Sequence, residues 1–337
     1  MKRIVFLLFA VMSIATAYAV DVTFTTDNGT GRETAIRNAE ANLSKLLTRI
    51  NDAQLNNQVV SLKDMPLNDF AKKSIAGIWA VTPFYCDDEE VVDRLWIFKD
   101  GSMLCNHVPL IISPLEESFG MGSYQEGVVE FDSKGNITDF RFALDAQTSE
   151  SMERCGSVVE REKQMVILQY LERFRTAYNQ KDIATIERMF SDDALIITGN
   201  VVMVKKPGDN NAMSFKVEYN RQSKEQYISN LKRAFLRNKW IDVKFSQIGE
   251  HGESTTGCAG ITRSRVDPTK YGIRLHQSWK SSNYSDEGYL FLLWEFPENG
   301  GSPIIHVRTW QPEWIDKAHT RKTEMDDNIS TLGGFGL

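Results

Sequence analysis

Residues 174–199 read FRTAYNQKDIATIERMFSDDALIITG, and this stretch constrains the chain more than any other. Two helical patterns and a β-branched run follow one another with almost no loop between them. Ile167, Leu168, Leu171, Phe174 and Tyr178 recur at helical spacing and form one apolar face of a long helix. Asp182 stands where an N-cap is needed for a second helix carrying Ile183, Ile186 and Phe190. SDD reads as a turn and ALIIT as a strand. Adjacent carboxylates point different ways, so Asp192 and Asp193 suit a turn better than an acid–base pair. Helices laid directly against a strand predict an α+β unit.

The pattern continues downstream. Ser223 and Gln226 make a capping box for a helix through Tyr227, Leu231 and Phe235. Strand-like runs follow: DVKFSQI, GCAGITRSRV, GIRLHQSWK, YLFLLWEF and PIIHVRTW. This second unit is assigned to residues 156–314, with a polar, then glycine-rich, tail over 315–337. An N-terminal α+β unit takes residues 20–155. It opens on a helix with Ile36, Ala39, Leu43, Leu46, Leu47 and Ile50 on one face, after a capping box at Thr30 and Glu33. A shorter helix starts near Pro66, and the strands IAGIWAVTPFY, RLWIFK, SMLCNHVPLII, GVVEFD and ITDFRFAL are expected next. Asp100-Gly101 and SKGN read as hairpin turns. Both units run helix, helix, sheet, an order that suggests a degenerate duplication.

The first residues have the three parts of a secretory signal. Lys2 and Arg3 precede the apolar run IVFLLFAVMSIA, and small residues at Ala17 and Ala19 mark a cleavage site. Residues 1–19 are therefore expected to be removed, and the mature protein to be periplasmic or extracellular. The run is short for a membrane span, and no later stretch is apolar for long enough. The net charge is −6 without a basic stripe, which argues against nucleic acid as a partner. Of the four cysteines, Cys86 and Cys105 end neighbouring strand-like runs and are the preferred disulfide pair, with two buried free thiols as the alternative of about equal weight. The five histidines show no i,i+4 pair and no HExxH, so no metal site is expected, and no motif calls for a cofactor.

The second unit resembles the NTF2-like superfamily, whose members include SnoaL and ketosteroid-isomerase-like proteins of cystatin-type fold. The resemblance is carried by YLERFRTAYNQKDI, the FSDDALIITG exit, the helix from Ser223 and the closing strands through HVRTWQPEW. It implies a strongly curved antiparallel sheet closed by helices into a cone, and a pocket between the concave face and the long helix. Some members are isomerases, dehydratases or hydrolases, and others only bind or dimerise, so the fold implies a pocket and not a reaction. Tyr178, Trp279 and Trp294 are candidates for lining it. Strict alternation puts His306, Arg308 and Trp310 on one strand face, and His276 on the face opposite Trp279. The row with Arg308 either clamps an anionic group inside the pocket or forms an outer face that meets another subunit; the outer-face reading comes first. Three functions follow: binding of a small molecule or protein partner without catalysis, which is preferred; an isomerase or hydrolase with His276 or His306 as base; or a homodimerising assembly module.

Overall fold

The computed structural model describes residues 19–26, 31–112, 123–144, 161–205, 213–246, 261–297, 302–312, 315–316, 321–322 and 335–336. The signal segment, Cys155, Cys258 and the expected boundary between the units lie outside the described residues.

In the N-terminal unit, β1 (Asp21–Thr25) pairs in parallel with β3 (Glu90–Arg94). Helix α1 (Glu33–Leu55) buries the predicted face, Ile36 through Ile50. Its N-cap is Arg32, without a side-chain cap bond, and Thr30 of the expected capping box lies outside the described residues. Helix α2 (Asp69–Val81) begins close to the short helix expected near Pro66, and it continues through residues 75–81, which were expected to be a strand. The Asn68 side chain accepts from Ala71 N at 2.7 Å and starts the helix. Ala71, Ile75, Ile78 and Trp79 then fall on one buried face, so helical spacing overrides the strand preference of the isoleucines. Only β2 (Phe84–Tyr85) of that run is a strand. With β4 (Trp96–Ile97), β5 (Met103–Ile112), β6 (Ser123–Phe131) and β7 (Ile137–Phe142), it makes a 5-stranded antiparallel sheet. Both predicted hairpin turns carry a left-handed glycine, Gly101 at φ 88° and Gly135 at φ 89°.

The C-terminal unit opens with α3 (Arg161–Asn179) and α4 (Ile183–Met189), the latter capped by Asp182 as expected, with Thr185 N donating at 3.0 Å. Strand β8 (Phe190–Lys205) follows at once. SDD is therefore not a separate turn. It is a bulged part of β8, because Phe190 pairs with Ile305 while Leu195 already pairs with Val307. After β9 (Met213–Gln222), helix α5 (Lys224–Arg237) starts at the complete Ser223/Gln226 capping box. The remaining strands are β10 (Ile241–Ser246), β11 (Ile261–Arg263), β12 (Lys270–Ser281), β13 (Ser285–Glu295) and β14 (Ile304–Pro312).

These strands form a 7-stranded sheet in the order β10-β12-β13-β14-β8-β9, with β11 on β12. Pairing is antiparallel except where β14 lies parallel to β8. The sheet curls into a half-barrel, and α3, α4 and α5 close its concave face, giving an NTF2-like cone. Among the described residues, the N-terminal sheet runs β2-β5-β6-β7 with β4 also on β5 and is antiparallel throughout, so the two units share an element order and not a sheet topology. Residues of the expected tail add a short pair, β15 (Ile315–Asp316) with β16 (Arg321–Lys322).

Helix α3 joins the units. Arg141 on β7 is fully buried and holds Glu130 at 2.7 Å, Asp139 at 2.6 Å and Glu172 of α3 at 3.0 Å. Arg173 of α3 reaches back to Glu130 at 2.5 Å and Asp139 at 3.3 Å. At the other end of α3, Gln180 Nε2 donates to Ser74 O at 3.0 Å. Gly77 makes room for that contact, since a Cβ there would stand 3.1 Å from the Gln180 side chain. A buried ion network cut on either side leaves uncompensated charge, so the two units are locked together.

Candidate functional site

Alternation along the strands decides which side chains enter the cone. On β12, Tyr271, Ile273, Leu275 and Gln277 are buried and Trp279 packs against the same core. On β13 the inward set is Leu290, Leu292 and Trp294. Phe291 and Leu293 pack on the outer face with Val307, and Phe335 stacks on Phe291 at 5.9 Å between ring centroids.

Strand β14 does not keep strict alternation. Its register shifts between Ile305 and Val307 against β8, and between Leu293 and Trp294 against β13. Ile305 joins the interior core beside Trp294, Val307 goes outside, and Arg308 and Trp310 turn inward opposite Leu292 and Leu290. The bulge thus splits the row predicted from the sequence. His306 is left on the rim, 2.8 Å from Glu295 Oε2 and 3.6 Å from Asp193 Oδ1. His276 also lies outside, edge-on to Tyr289 at 5.8 Å. Neither histidine shares the cone with Arg308, so the reading with a pocket histidine as base loses its base. The outer-face reading of Arg308 and Trp310 is corrected as well, since they are only 5% and 7% exposed and face the interior.

Inside the cone, Arg308 meets groups from two of the three closing helices, α3 and α5. Its Nη2 donates to Gln277 Oε1 at 3.3 Å, and the Tyr178 hydroxyl is a further hydrogen-bond partner. The guanidinium carbon lies 5.3 Å over the ring of Tyr227 from α5. The Tyr178 and Tyr227 hydroxyls touch at 2.5 Å. Arg308 Nε has no partner, and among the described residues no carboxylate stands within ion-pair distance of this guanidinium. Asp286 is the carboxylate whose field reaches it, and Asp286 Oδ1 is itself unpartnered. Burial raises the Asp286 pKa, with Tyr284 and Arg308 pulling the other way. Burial, then the Tyr227 hydroxyl, pushes the Tyr178 phenol well above its ordinary value, so it stays protonated. Burial works against the Arg308 charge, but Tyr227, Tyr178 and Asp286 outweigh it and raise its pKa.

Trp279 and Asp286 pair across β12 and β13 and are partly exposed, marking the open end of this cluster. Trp279 stands edge-on to Tyr178 at 5.8 Å. Gly288 sits between them and Arg308 along β13, where a Cβ would meet Gln311 O at 2.1 Å and the Trp310 ring at 3.0 Å. Glycine is required there for the close approach of β14. Trp294, by contrast, is 0% exposed, packed edge-on to Tyr170 at 5.7 Å, and belongs to the solid core. Tyr227, Gln277 and Asp286 were not singled out from the sequence. Gln277 carries the one readable signal, a polar residue at a period-2 position between Leu275 and Trp279 on the apolar face.

The disulfide expectation is also corrected. Cys86 and Cys105 are both buried free thiols. Cys86 Sγ faces Asp88 O at 3.6 Å and Cys105 Sγ donates to Asp93 Oδ2 at 3.0 Å, because the chain between them turns through β3 and β4 and directs the two side chains to different partners. Burial pushes the Cys86 thiol up to about 11 and the Cys105 thiol well up, so both stay protonated. Among the described residues, no group of three His, Cys, Asp or Glu side chains is placed to hold a metal ion, and no helix is long and apolar enough to cross a membrane.

No protein-family model matches the sequence, and no curated protein matches it. Solved structures align with part of the chain. An NTF2-like protein of unknown function from Pseudomonas putida KT2440 covers 49% of this chain and 92% of its own, at 11% identity and a TM-score of 0.30. One from Shewanella oneidensis MR-1 covers 44% and 98%, at 12% identity and a TM-score of 0.30. Bd1075 from Bdellovibrio bacteriovorus covers 45% of this chain but 41% of its own length, at 14% identity and a TM-score of 0.31. This chain therefore spans less than half of Bd1075, and nothing about function follows from likenesses this low.

Proposed function

We propose that this is an exported protein whose C-terminal cone binds a small organic anion without transforming it. One observation carries the reading: Arg308 is a buried guanidinium with an unpartnered Nε and no carboxylate at ion-pair distance among the described residues. The Nε–H is free to donate to a ligand carboxylate or similar anion, which would supply the contact counter-ion that the described residues do not. Tyr178, Tyr227 and Gln277 add neutral hydrogen-bonding groups around it, and Trp279, partly exposed at the open end, offers flat apolar surface for the body of the ligand. Of the two histidines expected to serve as base, His276 lies on the outer face of the sheet and His306 on its rim, which favours binding over catalysis.

Calorimetric titration with benzoate and phenylacetate, against the neutral amides as controls, tests the cone. The acids are expected to bind and the amides to bind at least about tenfold more weakly, with Arg308→Gln removing the difference. Equal binding of acids and amides, or an unchanged Arg308→Gln, would overturn the reading. Export is supported by the tripartite N-terminus; the secreted protein is expected to begin at Val20 on N-terminal sequencing, and an intact Met1 on membrane-bound material would remove that part.

A further inference from the structure

A cleft of about 390 Å³ lies outside the cone, where the two units meet, within the roughly 300–1,000 Å³ of small-molecule sites. One wall is the N-terminal unit, with Ile78 of α2, Ile112 of β5 and Phe142 of β7. The other is the end of α3 and the edge strand β10. Ile112 and Phe142 are only half-buried, so apolar surface faces the opening. The side chain of Asn179 takes both backbone groups of Val243, with Val243 N donating at 2.7 Å and Val243 O accepting at 3.3 Å. That caps the strand edge at this point with a side chain instead of another strand.

The charged groups lie on the C-terminal wall. Arg175 is buried and donates through Nη2 to Phe142 O at 2.5 Å. Lys244 is exposed and stands 3.7 Å from Asp242 Oδ2. Lys280 acts on the same carboxylate from β12. The cleft lining holds Arg175 and Lys244 together with Asp242, and the buried Glu172 also acts on Arg175. The ion network around Arg141 and the Gln180–Ser74 contact hold the walls in place, so the cleft is preorganised.

We propose that the cleft between the units is a second binding site, independent of the cone, for a small amphiphilic carboxylate. Its apolar body lies along Ile112 and Phe142, and its head group lies toward Arg175 and Lys244. Burial raises the Asp242 pKa, with Lys244, Arg175 and Lys280 lowering it, so removing the Asp242 charge relieves a burial cost and the fold tolerates the change.

The test is titration of the full mature chain with decanoate, with decanol as the uncharged control, followed by calorimetry and by Trp fluorescence. Lys244→Glu, at an exposed side chain, is expected to weaken decanoate about tenfold and leave decanol unchanged. Asp242→Asn is expected to strengthen decanoate several-fold. Arg308→Gln is expected to leave this site unchanged, which separates it from the cone. Absence of decanoate binding, the reverse order of the two charge variants, or loss of binding in Arg308→Gln would overturn the proposal.

Discussion

Arg141 and Arg308 are both buried, and the protein treats them in opposite ways. Arg141 sits at the seam between the units and is surrounded by Glu130, Asp139 and Glu172 at 3.0 Å or less. Arg308 sits in the cone and has tyrosines, a glutamine and a ring face, but no carboxylate in contact among the described residues. The first charge is neutralised within the chain and holds two sheets to one helix. The second is stabilised only by polar neighbours and a carboxylate at longer range. A buried charge saturated by its own chain has little left to offer a ligand, whereas one left short of a counter-ion favours an anion from outside.

The comparison predicts opposite signs for the same chemical change. Arg141→Met is expected to lose about 3–5 kcal/mol, because three mostly buried carboxylates lose their shared cation. Urea unfolding followed by far-UV circular dichroism measures this, and equal stability to the unaltered chain would show that the seam network is dispensable. Arg308→Met is expected to be neutral or to gain about 1–4 kcal/mol in the ligand-free protein, because an incompletely paired charge is replaced by a flexible apolar thioether. The same variant should lose its preference for benzoate over benzamide. A large loss of stability in Arg308→Met would mean that this arginine is structural like Arg141.

A smaller effect sharpens the comparison within the N-terminal unit. Burial disfavours the Asp93 charge, but hydrogen bonds from His107, the Cys105 thiol and backbone N–H groups outweigh it and hold the pKa at about 2, against an ordinary 3.8. A carboxylate with a depressed folded pKa stabilises the protein above its unfolded pKa and loses that contribution as pH falls through the folded value. Asp93→Asn is therefore expected to cost about 2 kcal/mol at pH 7, with the difference closing between roughly pH 4 and pH 2. Melting temperatures of both proteins across that range test it; a constant difference would assign the effect to packing. The smallest change is expected at the capping box, where Ser223→Ala removes the bond to Gln226 N and costs about 1 kcal/mol. Thermal unfolding measures that loss, and a null result there would leave α5 held by its buried face alone.

What the sequence determined by itself is what depends on neighbours within a few residues. The buried face of α1, the face of α3 from Ile167 to Tyr178, the Asp182 cap, the Ser223/Gln226 box and the glycine turns at Gly101 and Gly135 all follow from local spacing and are present. Tertiary structure decided the rest. The short helix expected near Pro66 formed as α2 and ran on through residues 75–81 because their apolar side chains reach a core built by β7 and α1, which those residues alone do not reveal. Cys86 and Cys105 remained apart because strand connections between them set their directions. The site turned on the bulges of β14, since one residue of slip exchanges the two faces of a strand. That slip carried Arg308 and Trp310 into the cone and left His306 on the rim, and it is set by partners on β8 and β13 that are distant in the chain.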